Sequence, residues 1–278
     1  MRILVVSSCF PPEGWGGAEL AAEGIARWMA ADGHGVGIYA DSAARPDLAG
    51  ASPRSAERYS PPRRWWTHRT GDHARQSGPR KAIWHLSDHL PHQGARNFAN
   101  VIAAFRPDLV MVHLAPGLGI GLFEFCARND IPVVFVLHDF WITCLRSSMF
   151  SRSGSVCTNR EFLCRWSSAI RWKALSQIPR LGFWAPSAKI VEIVGRELGL
   201  PLPNTLVERN VVDLSDFARL SADAAPGPPR LLYVGKVTTA KGVDFMVNCL
   251  GSIPRTVRFT VEVVGSGDRE AVLRGQMA

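Results

Sequence analysis

Residues 1–40 read MRILVVSSCF PPEGWGGAEL AAEGIARWMA ADGHGVGIYA, and this stretch decides the fold. Ile3-Leu4-Val5-Val6 is a short apolar run of the kind that forms a buried strand. Ser8–Gly17 is too rich in proline and glycine for regular structure. From Ala18 the apolar residues recur at helical spacing, through Ala21/Ala22, Ile25 and Trp28/Met29, and Glu23 stands i,i+4 from Arg27 on the other face. Gly33-His34-Gly35 stops the helix, and Val36–Ala40 reads as a second strand. A strand, a glycine-rich loop, a helix and a second strand predict an open α/β sheet, whose ligands gather at the carboxyl ends of the strands.

The same alternation continues downstream. Helices are expected over Ala95–Phe105, Leu118–Asn129, Arg165–Gln177 and Lys189–Leu198, with strands over Asp108–Leu114, Pro132–Leu137, Gly182–Pro186 and Thr205–Arg209. Strands and helices in turn indicate a parallel, doubly wound sheet, assigned to a domain spanning residues 1–217. Residues 41–92 interrupt it without a clean period, carrying Pro46, Pro53, Pro61, Pro62, Pro79 and Pro91, and read as an irregular basic insertion with one short helix near Lys81–His89. Residues 218–229 have the composition of a linker. Beyond them, residues 230–278 open a second unit: strand Arg230–Val234, helix Val243–Leu250, strand Arg258–Val264.

With 46% hydrophobic and 20% charged residues, the composition is globular and excludes a disordered chain. No apolar run approaches the roughly 18 residues of a membrane span, and the N-terminal apolar segment is too short for a secretory signal. The expectation is a cytoplasmic protein whose six cysteines are thiols. The net charge of +8 is unevenly placed: residues 51–100 hold nine Lys/Arg against three acids. Such a block suits nucleic acid, anionic lipid headgroups or a phosphorylated substrate, and equally a solvated arginine-rich insertion. Trp65-Trp66 behind Arg63-Arg64 fits a membrane interface or a sugar-stacking surface, and also plain burial.

Three motifs carry chemistry. Tyr233–Asp244, Y-V-G-K-V-T-T-A-K-G-V-D, sets a strand, a glycine turn and a helix start around Lys236 and Lys241, an arrangement suited to a phosphate-bearing ligand or to an ordinary surface turn. His138-Asp139 closes the strand Pro132–Leu137 at the ligand-binding edge; the histidine suits a substrate hydroxyl or phosphate, with the acid fixing its tautomer or acting as a base. A strand-ending pair satisfied by local backbone is the plainer alternative. Cys144, Cys157 and Cys164 lack the C-x2-C spacing of zinc hairpins, so buried or loop thiols are the default and a metal site the lesser alternative. Cys9, Cys126 and Cys249 read as small core residues. Gly265-Ser266-Gly267 lacks the rest of a dinucleotide fingerprint, which argues against a nicotinamide enzyme.

In order and spacing these pieces resemble the retaining glycosyltransferases of family 4. Phe10–Glu19 is similar to that family's F-P-P-x-x-G-G-A-E loop, and His138-Asp139-Phe140-Trp141 with Cys144 to its H-D-x-W-x-x-C variant. Arg209–Asp213 resembles the N-G-V-D hinge, with Val211 for glycine, and Gly235–Gly242 resembles G-R-x-x-x-x-K-G, with lysine for arginine. Val264–Gly267 resembles the V-G-x-G strand end. The resemblance implies an α/β protein of GT-B type, with a Rossmann-like N-terminal domain and the first β-α-β of an incomplete second one.

It also implies a nucleotide-diphosphate sugar as donor, no required cofactor or metal, a glycan or lipid-linked acceptor, and no nucleic-acid partner. By the same resemblance Gly16, Gly17, Asn210, Gly235, Lys236, Lys241 and Gly265 bind the donor. His138 and Asp139 are then the catalytic pair, with His138 against the transferred sugar. Arg63, Arg64, Trp65 and Trp66 would meet acceptor or an anionic membrane surface, placing the protein on the inner face of the plasma membrane. By the same resemblance the family's E-x7-E segment lies well beyond Gly267, and the sequence ends at Ala278. The expectation is therefore a fragment of a longer enzyme or a truncated chain, with a non-catalytic acceptor- or membrane-binding module as the alternative.

Overall fold

A computed structural model of the chain describes residues 1–12, 16–41, 57–61, 68–90, 95–151, 154–158, 161–211, 227–254 and 256–277. The chain divides into two compact units, Met1–Met149 with Asn159–Leu214, and Phe150–Thr158 with Ser215–Ala278. Arg63, Arg64, Trp65 and Trp66, and nearly all of the linker at 218–229, lie outside the described residues.

Unit 1 is a seven-stranded sheet in the order β3-β2-β1-β4-β5-β6-β7. Its strands are β1 (Arg2–Ser7), β2 (Gly35–Ala40), β3 (Glu57–Tyr59), β4 (Leu109–Leu114), β5 (Val133–Val136), β6 (Leu181–Ala185) and β7 (Thr205–Val207). Every pairing is parallel, with Ile3 opposite Val36 on one side and Leu109 on the other. Parallel neighbours require crossovers, and the helices α1 (Gly17–Ala31), α2 (Gly78–Ser87), α3 (Ala95–Phe105), α4 (Gly121–Arg128), α5 (Phe162–Ser176) and α6 (Ala188–Leu198) supply them.

Both faces of the sheet are covered, so its strands are apolar throughout instead of alternating. Ile3 and Val5 of β1 join Ala22, Ile25 and Met29 of α1 in one core, while Leu4 and Val6 join Phe98, Phe123 and Leu175 of α3, α4 and α5 in the other. Burying each such leucine or phenylalanine contributes about 1.5–3 kcal/mol. Trp28 was placed on the apolar stripe of α1 from its spacing, but it is 55% exposed and Met29 fills that position. The Glu23–Arg27 pair forms at 2.8 Å, although Glu23 is itself nearly buried.

The expected irregular stretch contains more order than its sequence shows. β3 pairs with β2 over three residues, Thr70–Arg75 is a 3-10 turn, and α2 begins at Gly78. Three strand residues are too few to display a period.

Unit 2 holds β8 (Arg230–Val234) and β9 (Thr260–Val264), paired in parallel, with α7 (Val243–Gly251) and α8 (Glu270–Met277). Its core is small: Val237, Val243 and Leu273, with Tyr233, Met246, Val247 and Val263 packed around them. Leu232, Val234 and Phe245 remain exposed. Cys249 is also exposed and Cys9 half-buried, so of the three cysteines expected in the core only Cys126 is buried there.

The carboxyl ends of β8 and β9 touch backbone to backbone. Gly235 N–H donates to Val264 O at 3.0 Å and Val237 N–H to Ser266 O at 3.0 Å. A Cβ on Gly265, whose φ is +151°, would run into the carbonyl oxygen of Gly235, and one on Gly267 into that of Val237. Glycine at 265 is required by this close approach whatever the loop binds. Gly265→Ala is expected to destabilise unit 2 by about 1–3 kcal/mol, which thermal unfolding would detect, whereas Gly251→Ala, in open space on α7, should be harmless.

Candidate active site

Unit 1 gathers its polar groups at the carboxyl edge of β4 and β5. His113 lies at the penultimate position of β4, where the register with β1 shifts, and is 1% exposed. His138 follows β5 by two residues. Their rings stack with centroids 5.1 Å apart, and His113 Nδ1 is 2.8 Å from His138 Nε2. Burial holds both imidazoles neutral, pushing His138 down to about 4 and His113 well below the ordinary histidine value.

The adjacent acid is engaged elsewhere. Asp139 Oδ1 accepts the Trp141 N–H at 2.8 Å, so the residue that orients His138 is His113 and not Asp139. Burial raises the Asp139 carboxyl to about 6; the Trp141 N–H, Arg171 and Ser147 oppose that rise, and Glu19 adds to it. Glu19 therefore brings the first turn of α1 to bear on the β5 loop. A Cβ at Gly16 would meet the Glu19 carboxylate, whereas one at Gly17 would meet nothing within 4 Å.

Behind the loop lies Arg171 of α5, 2% exposed. Its Nη1 donates to Trp141 O at 2.5 Å and Cys144 O at 3.1 Å, and its guanidinium sits 4.6 Å from the centre of the Trp141 ring. The charges of Asp88 and Asp139 support it against burial. Asp88, also buried, accepts the Gly117 and Gly119 N–H groups at 3.0 and 2.8 Å, which ties α2 to the loop before α4. His113, Arg171 and Asp88 were not singled out from sequence. For His113 a signal existed, a lone histidine in the apolar run L-V-M-V-H-L ending at the same edge as His138.

The linked pH dependence has a definite sign. His138 has a folded value below its unfolded one, so its neutral form stabilises above about 6.5, and that contribution is lost as pH falls toward about 4. His85 behaves in the same way, since burial also pushes it to about 4. Asp139 does the opposite: its stabilisation is complete below about 3.8 and is lost as pH rises through about 6. Burial lowers His113 and His89 as well and raises Asp88 together with Asp139, so these four histidines stand against two carboxyls and stability should fall between pH 6.5 and 4. Asp139→Asn should steepen that fall in pH-dependent urea unfolding; a stability that rises on acidification through this window contradicts the assignment.

Of the other expected site residues in unit 1, Asn210 is half-buried, with its Oδ1 unpartnered among the described residues. In unit 2, Gly235 at φ +153° turns the chain out of β8, and Tyr233 Oη donates to Lys236 O at 2.9 Å. Lys241 ends a 3-10 turn over Thr239–Lys241, and Gly242, at φ +76°, both closes that turn and caps α7. Lys236 and Lys241 are exposed, and neither forms an ion pair with a described residue. By contrast Asp244, in the first turn of α7, takes the Arg269 Nε at 2.8 Å, which holds its carboxyl below the usual range. The loop thus presents two unneutralised ammonium groups beside a helix start, a setting for an anion.

Among the described residues no group of three or more His, Cys, Asp or Glu side chains is placed to hold a metal ion. Cys144, Cys157 and Cys164 form no disulfide among the described residues. Also among the described residues, no helix is long and apolar enough to cross a membrane.

This fold is that of the GT-B glycosyltransferases. A glycosyltransferase from Rickettsia africae ESF-5 superposes with a TM-score of 0.60 at 13% identity, over 99% of this chain and 63% of that one. WaaG, a glycosyltransferase involved in lipopolysaccharide biosynthesis, gives 0.54 at 17%, over 100% and 67%. An alpha-glucosyltransferase solved with UDP and a mismatched 13-mer DNA gives 0.51 at 12%, over 99% and 58%. This chain therefore spans less than two thirds of the Rickettsia protein. No curated protein matches it by sequence. The profile of Glycosyltransferase Family 4 matches residues 15–216, and the chain belongs to that family.

Proposed function

We propose that the protein transfers a sugar from a nucleotide-diphosphate sugar, with retention, to a glycan or lipid-linked acceptor of a surface polysaccharide or glycolipid. The observation that carries this reading is the pair of exposed lysines at 236 and 241, without an ion pair among the described residues, beside the start of α7 in a family whose name is its chemistry. Lys236 and Lys241 neutralise the diphosphate as the sugar–phosphate bond breaks, which stabilises the leaving group. His138 contacts the transferred sugar, Asp139 supports it from the same loop, and Gly16, Gly17 and Asn210 line the donor. The UDP bound by the alpha-glucosyltransferase neighbour supports a nucleoside diphosphate as the ligand class.

The test is incubation with radiolabelled nucleotide sugars and membrane extract, followed by NMR of the product. Transfer with the donor's anomeric configuration kept is expected. Inversion would remove retention, and failure with every donor tested would favour the reading as a binding module.

The acceptor side is proposed to dock on an anionic lipid surface. Ile83 and Leu86 of α2, with Leu90 beyond its end, are exposed, as are Phe162, Leu163 and Trp166 at the start of α5. The His89 ring lies 5.2 Å from that of Trp166 and joins the two groups, and exposed Arg80 and Arg165 flank them. Apolar side chains flanked by cations suit a headgroup boundary. Leu86→Glu with Trp166→Glu should weaken co-sedimentation with anionic vesicles by about 30-fold, at near 1 kcal/mol for each of the two introduced charges; binding that ignores both the variant and the lipid charge removes this element.

A further inference from the structure

We propose that His113 is a positioning residue that fixes the tautomer of His138, holding its proton on Nδ1 so that His138 meets its ligand as a hydrogen-bond donor. This rests in part on the reading of His138 as the sugar-facing residue.

Two neutral imidazoles 2.8 Å apart share one proton between His113 Nδ1 and His138 Nε2. If that proton belonged to His138, the proton of His113 would have to sit on Nε2. That atom is buried and has no hydrogen-bond partner among the described residues. A buried N–H without an acceptor is rare and costly, whereas an unfilled acceptor is tolerated more readily. The proton therefore belongs to His113 Nδ1, which donates to His138 Nε2. A neutral His138 whose Nε2 is an acceptor carries its own proton on Nδ1. No described residue takes that proton, and His138 is only half-buried. Free imidazoles in water favour the other tautomer, so the preference is imposed by the partner. His113 belongs to β4 and is 1% exposed, so the constraint comes from the sheet and not from the loop that carries His138. A donor at this point strengthens with negative charge growing on a sugar or phosphate oxygen, and it cannot act as a general base in the same state.

The test is long-range 1H–15N correlation spectroscopy of the whole chain labelled in its histidine rings, at neutral pH. The expected spectrum shows His138 protonated on Nδ1 and bare on Nε2. His113→Asn, whose amide keeps a donor near the Nδ1 position, should leave that pattern in place, whereas His113→Leu should shift His138 toward the Nε2–H form. Circular dichroism checks the folding of the leucine variant, and the wild-type spectrum decides the question if that variant does not fold. A wild-type His138 with its proton on Nε2, or one indifferent to His113→Leu in a folded chain, overturns the proposal. The reading of His138 as sugar-facing fails separately, if the tautomer is as stated but a saturating nucleotide sugar leaves the His138 signals unmoved. In transfer assays His113→Leu should lower kcat about 10- to 100-fold with KM little changed, and His113→Asn should recover most of it.

Discussion

Replacing Arg171 by alanine should destabilise unit 1 by about 3–5 kcal/mol, the range for removing one partner of a buried charge group. The guanidinium is nearly inaccessible and donates to two carbonyls of the β5 loop, Trp141 O and Cys144 O. Its loss leaves both carbonyls without that donor. It also leaves buried Asp88 and half-buried Asp139 without their counter-charge. Their pKa values should then rise further, making the variant relatively more stable at low pH than at neutral pH. Combining Arg171→Met with Asp88→Asn and Asp139→Asn should recover much of the loss, because the unpaired charges go with the arginine. Urea unfolding of the single and triple variants measures this; a loss below about 1 kcal/mol for Arg171→Ala contradicts the role given to the arginine. The functional consequence follows from the geometry. Arg171 holds the segment that begins with His138 and Asp139, so a chain that survives the substitution should bind ligand with that loop displaced.

The second large effect belongs to unit 2. Lys241→Ala should weaken binding of a nucleoside diphosphate about 10- to 100-fold, as expected when a charge-assisted hydrogen bond of about 1.5–3 kcal/mol is lost. Adding Lys236→Ala should cost a further factor of similar order, and Lys241→Arg should retain most of the affinity. Both side chains are exposed and unpaired among the described residues, so neither substitution should move the unfolding midpoint. That separates a binding role from a structural one. Affinity should also fall as salt is raised, since exposed ammonium groups are screened over about 8 Å at physiological ionic strength. Unchanged affinity in Lys241→Ala removes that residue from the donor site.

Most strands were legible because a parallel sheet covered on both faces needs continuous apolar runs, and Leu109–Leu114 and Val133–Val136 are such runs. β3 escaped because three residues, Glu57, Arg58 and Tyr59, carry no period, and it exists through its pairing with β2. Lys236 and His138 could be singled out in advance, since each follows a strand at the edge where ligands gather, and Lys241 from its place five residues on in the same loop. The residues that organise His138 could not. Its partner His113 comes from a strand 25 positions earlier, and Arg171 from the middle of a helix whose exposed start gives no hint of a buried cation. Sequence order brought His138 and Asp139 together, whereas the fold sets His138 against His113 and turns Asp139 toward the Trp141 N–H. Gly265 was assigned to ligand binding from its motif, and the structure adds an independent reason for it in the Gly235 carbonyl.

The central claim, that the lysine loop of this family 4 chain holds the diphosphate of a nucleotide sugar, is tested most directly by calorimetric titration with UDP- and TDP-linked sugars. The account predicts saturable binding below millimolar concentration to at least one of them, competed by the matching free nucleoside diphosphate and lost in Lys236→Ala/Lys241→Ala. No heat from any of these donors at millimolar concentration, or equal binding to the double variant, would contradict it.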